Sequence, residues 1–396
     1  MIDKKLPIYF AIFIAVYGSE IGSNVNNLGS KLYRTTSWRY ENFVFSPFSI
    51  HSALSFLYQG ASDKTAVSLR RILNVPVERN ATARAYKIVT DAVLRSSFVD
   101  ILIANKIYLR EDYRLRNDFK FIAEYFFRAE AENVDFKRKE STAALINAWV
   151  SRRTRNRITQ LIQADDLDPW TTRAVLLDAI YFKGNWSTPF NDYFTREKIF
   201  HVSAVETLKC QMMYNEEYFD YGEILALGSK VLRLKYKDER FSMVIVLPEP
   251  EINLDELEKR LLHIDVSTLV LHRRKVAVFL PKFKIETVSY LNEPLKQIGL
   301  ANVFSGTANF SNMLVSDKTF AIGKVIQKAF VEVNEEGTEA AAAAGLEVVQ
   351  LSLGPSVPLF KANRPFMFYI TVEEADGECI NCNIVLFMGK VVHPQF

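Results

Sequence analysis

Cys379 and Cys382 form a C-x-x-C pair inside "ADGECINCN", and Cys210 stands alone. A redox pair needs a thiolate stabilised by a helix N-terminus or a neighbouring cation, but the residues that follow, "NIVLFMGKV", read as a strand. Zinc would need Cys or His ligands from a second cluster, and none is visible. The pair therefore reads as incidental thiols or a small local disulfide, and three cysteines leave one unpaired within the chain. The five histidines are scattered, none beside an obvious nucleophile. H-E-x-x-H, G-x-S-x-G and a phosphate-binding glycine loop are all absent. No enzyme, metal or cofactor is expected.

The most informative stretch carries no reactive group at all. "EEGTEAAAAAGLEVVQLS", residues 335–352, holds five consecutive alanines fenced by Gly337 and Gly345 and followed by β-branched residues. Alanine favours helix, yet alternation tells a different story. If the segment becomes a strand, one face reads Thr338, Ala340, Ala342, Ala344, Leu346, Val348, small and then apolar. The other face reads Glu339, Ala341, Ala343, Gly345, Glu347, Val349 and holds both acids. That is a strand with one face to bury, and its small residues come first, where squeezing between existing strands is tightest.

Surface chemistry is limited. Sequons for N-glycosylation stand at Asn80, Asn185 and Asn309; Asn80 reads as a loop and is favoured, whereas Asn185 abuts Trp186 at a packed position. Arg79, Arg84, Lys87 and Arg95 make one basic set, interrupted by Asp91, and "SRRTRNR" (151–157) makes another. Such faces are usually just solvated, although a polyanion such as a glycosaminoglycan is the ligand they would suit. The formal net charge of +3 is too small to argue for nucleic acid.

The elements that must position these residues are legible in outline. "MIDKKLPIYFAIFIAVYGSE" has a basic start, a short apolar run and then small residues, the layout of a secretory signal peptide cleaved after Gly18. The run is too short to span a bilayer comfortably. A 396-residue chain with 49% apolar composition can bury a large core. Stripes of helical period mark "NNLGSKLYRTTSWRY", "SPFSIHSALSFLYQG", "SDKTAVSLRRILNV" and "TARAYKIVTDAVLRSS". Strand patterns follow in "DILIANKIYLR", "RAVLLDAIYF", "VLRLKY" beside "FSMVIVLP", "KVAVFLPKFKIE", "GKVIQKAFVEVN", "PFMFYITVEE" and "NIVLFMGKV". Helices ahead of long strands predict an α+β domain over 19–396, with no repeat and no linker.

Five segments in order give the chain a family resemblance. "NFVFSPFSI" (42–50), "AIYFKGNWSTPF" (179–190), "LPKFKIE" (280–286), "VEVNEEGTEAAAAA" (331–344) and "FKANRPF" (360–366) resemble serpin motifs. The resemblance implies a fold of about nine helices and three β-sheets with an exposed reactive-centre loop at about 337–359. It implies a secreted, monomeric protease inhibitor that works by changing shape.

On that resemblance Glu335, Gly337, Thr338, Glu339 and Ala340, Ala341, Ala342, Ala343 and Ala344 are the loop hinge, in the inhibitory pattern. Counting from Glu335, and back from "FKANRPF", places the scissile bond at Leu351–Ser352, with Leu353 and Gln350 as the fallback positions. Leucine there suits a chymotrypsin- or elastase-like extracellular serine protease. A non-inhibitory carrier or chaperone, and an inhibitor of a papain-like cysteine protease, are the alternatives. Ser46 and Ser49 match the serines of the sheet-opening region, where the family commonly has Asn at the position of Asp178 and His at that of Gln327. A Gln amide can donate to an Asp carboxylate, so the pair can have changed together. Trp186, Lys282 and Glu335 match the top of the sheet, the last two as an ion pair.

Overall fold

The computed structural model describes residues 6–35, 41–261, 264–316, 318–336, 357–373 and 383–396. Among them are eight α-helices: α1 (Leu6–Thr35), α2 (Pro47–Gly60), α3 (Asp63–Leu73), α4 (Arg79–Val93), α5 (Asn117–Phe127), α6 (Lys139–Arg153), α7 (Leu254–Leu261) and the short α8 (Asn292–Leu295). No helix of the described residues is long and apolar enough to cross a membrane. The strands are β1 (Phe43–Phe45), β2 (Val99–Arg110), β3 (Ala129–Val134), β4 (Ala174–Gly184), β5 (Arg196–His201), β6 (Thr207–Ile224) and β7 (Ser229–Lys235). They continue with β8 (Phe241–Pro248), β9 (His272–Pro281), β10 (Phe283–Tyr290), β11 (Lys324–Val333), β12 (Leu359–Lys361), β13 (Phe366–Glu373) and β14 (Asn383–Val391).

The strands fall into three sets, two of which share a strand. A five-stranded sheet has the order β10-β11-β4-β2-β3. The remaining strands run β1-β14-β13-β8-β7-β6-β9-β12, with β5 on the edge of β6. β6 joins them because its start pairs β5, its middle pairs β9 and its end pairs β7. The expected single strand "KVAVFLPKFKIE" is two. It turns at Lys282, so β9 ends in the larger network and β10 begins in the five-stranded sheet.

The five-stranded sheet is buried on both faces, which explains why "AVLLDAIYF" reads as a nearly continuous apolar run. Leu176, Ile180 and Phe182 of β4 face the larger core with α2, while Val175, Leu177, Ala179 and Tyr181 face a smaller core with α6. Asp178 occupies one of the inward positions of that strand and is 2% exposed.

Helix α2 starts where it does for local reasons. Ser46 takes an extended backbone and caps the helix, accepting from the Ser49 N–H at 3.1 Å, and Pro47 fills the first turn. Every residue of α2 is buried, so its polar side chains must find partners inside.

Candidate functional site

The residues expected at the sheet-opening region come together around the start of α2. Gln327 on β11 lies in register with Asp178 on β4, its neighbour strand. The Gln327 amide grips the cap residue: the Ser46 N–H donates to Gln327 Oε1 at 2.9 Å, and Gln327 Nε2 donates to the Ser46 carbonyl at 3.1 Å. Nε2 also donates to Asp178 Oδ2 at 2.6 Å, and the Ser49 hydroxyl donates to Asp178 Oδ1. The Ser46 hydroxyl donates to the Leu386 carbonyl on β14 at 2.5 Å. One cluster thus ties a helix start to three strands.

Each Asp178 oxygen accepts one hydrogen bond, and among the described residues no cation pairs with it. Burial raises its pKa from 3.8 to about 7, against the lowering effect of Ser49 and Gln327. A deep carboxyl in this state is poised to titrate near neutrality.

The pairing it straddles is parallel. β11 and β4 run parallel over Lys324–Val331 and Val175–Phe182, as β2 and β3 do at the sheet's edge, while β10/β11 and β2/β4 are antiparallel. Among the described strands the β4/β11 seam is therefore the parallel pairing away from the edge strand β3, where a further strand could lie antiparallel to both neighbours.

Above the seam, the chain leaving β11 is held firmly. Glu335 is 8% exposed; Lys282 Nζ lies 2.9 Å from its Oε2, and the Thr195 hydroxyl donates to its Oε1 at 2.8 Å. Burial opposes ionisation of Glu335, but these contacts outweigh it and hold the carboxyl below its usual range. Trp186 Nε1 donates to the Asn334 carbonyl at 2.9 Å, and the Phe190 N–H donates to the Glu335 carbonyl at 2.9 Å. The Trp186 ring stacks on Tyr236 with centroids 4.5 Å apart. Gly184 makes room for that stack, since a Cβ there would lie 2.7 Å from the Tyr236 ring. Thr195 and Tyr236 were not foreseen, because only the folded chain brings them beside residues far away in sequence.

The remaining expected positions divide. Gly337, Thr338, Glu339, Ala340–Ala344, Leu351 and Ser352 lie outside the described residues, as do Cys379 and Cys382. Cys210 is a buried free thiol whose pKa burial pushes up to about 11, which makes it a poor nucleophile. The loop expected at Asn80 is instead the first turn of α4, where Asn80 is exposed and Thr82 is buried. Asn309 Nδ2 donates to Asp63 Oδ2 at 2.8 Å, and Asn185 is half-buried next to Trp186.

Much of the first basic set is already engaged. Arg79 donates to the Ala61 carbonyl at 2.6 Å, Arg84 pairs with Glu78 at 3.1 Å and Lys87 with Asp91 at 3.1 Å.

Comparison with known proteins follows the same lines. Residues 23–394 match the family model described as Serpin (serine protease inhibitor). Antichymotrypsin-2 of Bombyx mori is 33% identical over 358 residues, covering 89% of this chain and 92% of that protein. Alaserpin of Manduca sexta is 35% identical over 358 residues, covering 89% of this chain and 88% of its own. Among solved structures, Serpin48 of the insect Tenebrio molitor, described as a highly specific serpin, superposes with a TM-score of 0.82 at 32% identity, covering 100% of both chains.

Proposed function

The chain belongs to the serpin family, generally protease inhibitors rather than catalysts, and from that premise we propose that it is a secreted suicide-substrate inhibitor of a chymotrypsin- or elastase-like serine protease. Residues 1–18 are its signal peptide, and the mature inhibitor acts as a monomer. Leu351 is the bait for an apolar primary pocket, a reading in keeping with the name of the Bombyx mori relative. Residues 345–360 hold no Arg or Lys for a trypsin-like enzyme.

The protease serine Oγ attacks the Leu351 carbonyl carbon, the bond to the Ser352 nitrogen breaks, and the new amine leaves with a proton from the protease base. An ester joins the two proteins. The freed segment 337–351 then enters the β4/β11 seam as a new strand. At ~3.3 Å per residue, ~15 residues span roughly 50 Å, and the acylated protease is carried along. Deacylation needs an aligned oxyanion hole and base, which displacement spoils. Small alanines pass the closing strands, and Glu335, held by Lys282, Thr195 and the Trp186 stack, is the pivot.

The observation that carries this reading is the parallel β4/β11 pair with the hinge leaving directly from β11. Insertion there turns one parallel contact into two antiparallel ones, which are slightly more stable per residue.

Incubation with chymotrypsin and with pancreatic elastase, followed by denaturing gel and mass analysis, tests it. The expected result is a denaturant-stable complex and release of a fragment beginning at Ser352. Cleavage at that bond with no complex would make the chain a substrate, not an inhibitor. An uncut loop with both enzymes would remove the target assignment.

A further inference from the structure

The three sequons enter the fold differently, and the difference lies in whether the fold uses their polar atoms. At Asn309 it does. The Asn309 Nδ2 donates to Asp63 Oδ2 at 2.8 Å, its Oδ1 accepts from the Ser311 N–H at 3.0 Å, and the Ser311 hydroxyl donates to the Ser62 hydroxyl at 3.1 Å. The Asn309 N–H also donates to Thr65 Oγ1 at 2.9 Å, so this sequon ties the start of α3 to the segment ahead of β11. At Asn185 the middle residue, Trp186, is 2% exposed and holds the Asn334 carbonyl beside the hinge. Asn185 itself is half-buried.

Asn80 is the reverse case. It opens the exposed stripe of α4, followed one turn later by Arg84. Among the described residues its side chain makes no hydrogen bond, so nothing in the fold requires asparagine there. Thr82, two residues on, lies on the nearly opposite, packed side of the helix. It is 2% exposed, and its Oγ1 is buried with no hydrogen-bond partner. Burying an unpaired hydroxyl is costly, and an apolar group of the same shape would avoid the cost. The fold has a use for neither polar group, yet together they make an acceptor for an N-linked glycan. The glycan needs solvent, which Asn80 has; the hydroxyl that completes the acceptor is inside.

We infer that Asn80 is the glycosylated residue of this chain, that Asn185 and Asn309 stay bare, and that the sugar is attached before α4 packs. The inference rests on the secreted reading above. In the transfer, Asn80 Nδ2 bonds to C1 of the first sugar of a lipid-linked oligosaccharide. The bond from C1 to the pyrophosphate oxygen breaks, the lipid pyrophosphate leaves, and Nδ2 gives up one proton. Once α4 docks, Thr82 is sealed and the acceptor is closed to the transferase, while the attached sugar stays outside.

Translation of the full chain with microsomal membranes, followed by protease protection and by peptide mapping after enzymatic release of sugar, tests the site. The chain is run with residues 1–18 in place and with a proven signal peptide instead of them. Entry of the second form alone overturns the secreted reading, and the sugar pattern of whichever form enters decides the site. One glycan is expected, with Asn80 alone converted to aspartate on release. Asn80→Gln and Thr82→Val should each lose it entirely. Entered chain that is bare at Asn80, or that carries sugar at Asn309 or Asn185, overturns the assignment. Folded, unmodified chain offered detergent-opened membranes and a lipid-linked oligosaccharide should stay bare; modification to the same extent as the nascent chain overturns the order of events. Unmodified Thr82→Val should melt at the wild-type temperature or about 2 °C above it. A fall of several degrees would give the hydroxyl a role in the fold and overturn the argument from its burial.

Discussion

Asp178, on β4, and His51, on α2, are both buried titratable side chains, and their effects on stability run in opposite directions. Burial raises Asp178 from 3.8 to about 7. The folded state therefore holds a proton that the unfolded state has lost, and stability falls as pH rises from about 4 to about 7. By linkage the loss is on the order of 4 kcal/mol. His51 is fully buried, bonded to the Leu73 carbonyl and the Tyr86 hydroxyl, and lowered to about 4, chiefly by burial. Here the unfolded state binds the extra proton, so stability rises between about 4 and 6.5. The two slopes largely cancel in the native chain. Asp178→Asn removes one of them while keeping an acceptor for Gln327 and giving Ser49 a donor. Denaturant unfolding of variant and wild type at pH 4.5 to 8 should show a difference that grows in favour of the variant up to about pH 7 and then levels. A constant difference across that range would remove the titration of Asp178 from the account. Sequence alone exposed the exchange of partners at Asp178 and Gln327, but not that each Asp178 oxygen is bonded, because that needs the α2 cap in place.

At the scale of elements, the seam and its hinge act as a unit. Eight residue pairs join β4 to β11, and the inserting strand must make ladder bonds to both sides. Proline has no N–H and is excluded from central strands, so Ala342→Pro should leave cleavage at Leu351–Ser352 intact. Stable complex should then fall by about tenfold or more, since a lost bond and a distorted strand cost a few kcal/mol. Wild-type yields of complex from this variant would mean that residues 337–351 do not enter the sheet. Most of this architecture is legible from periodicity: α2, α3 and α4 follow apolar stripes, and β2, β4 and β11 follow strand runs. Register was not. That Asn105, Asp178 and Gln327 share a row depends on how three distant strands align. β6 was missed because it serves two strand sets, so "TLKCQMMYNEEYFDYGEI" never settles into alternation. The turn at Lys282 leaves a fainter trace: the buried positions are Val276, Val278 and Leu280 before it and Phe283, Ile285 and Thr287 after it, a one-residue slip in an otherwise continuous alternation.

At the scale of the whole molecule, the uncut chain is proposed to be held short of its most stable arrangement. Its five-stranded sheet keeps one central parallel contact, while the small-residue segment that would complete an antiparallel sheet is tethered at both ends. The tether at Glu335 is rigid, fixed by Lys282 and Thr195. The other end rejoins the fold at β12, which pairs β9 in the other network. Cutting between Leu351 and Ser352 releases the segment from β12 and leaves it attached to β11. If ~15 residues then add ladder bonds at ~1 kcal/mol net each, the gain is on the order of 10 kcal/mol. Melting of the cut chain should then rise by about 10 °C or more over the uncut chain, with both fragments still associated. Ala342→Pro should abolish most of that rise, because the same ladder is what it blocks. Identical melting of cut and uncut wild type would mean that cleavage stores nothing and releases nothing. A rise that survives Ala342→Pro would place the stabilisation outside the seam. Calorimetry on the four samples separates these cases without any protease complex, so it tests the stored strain independently of which enzyme the bait attracts.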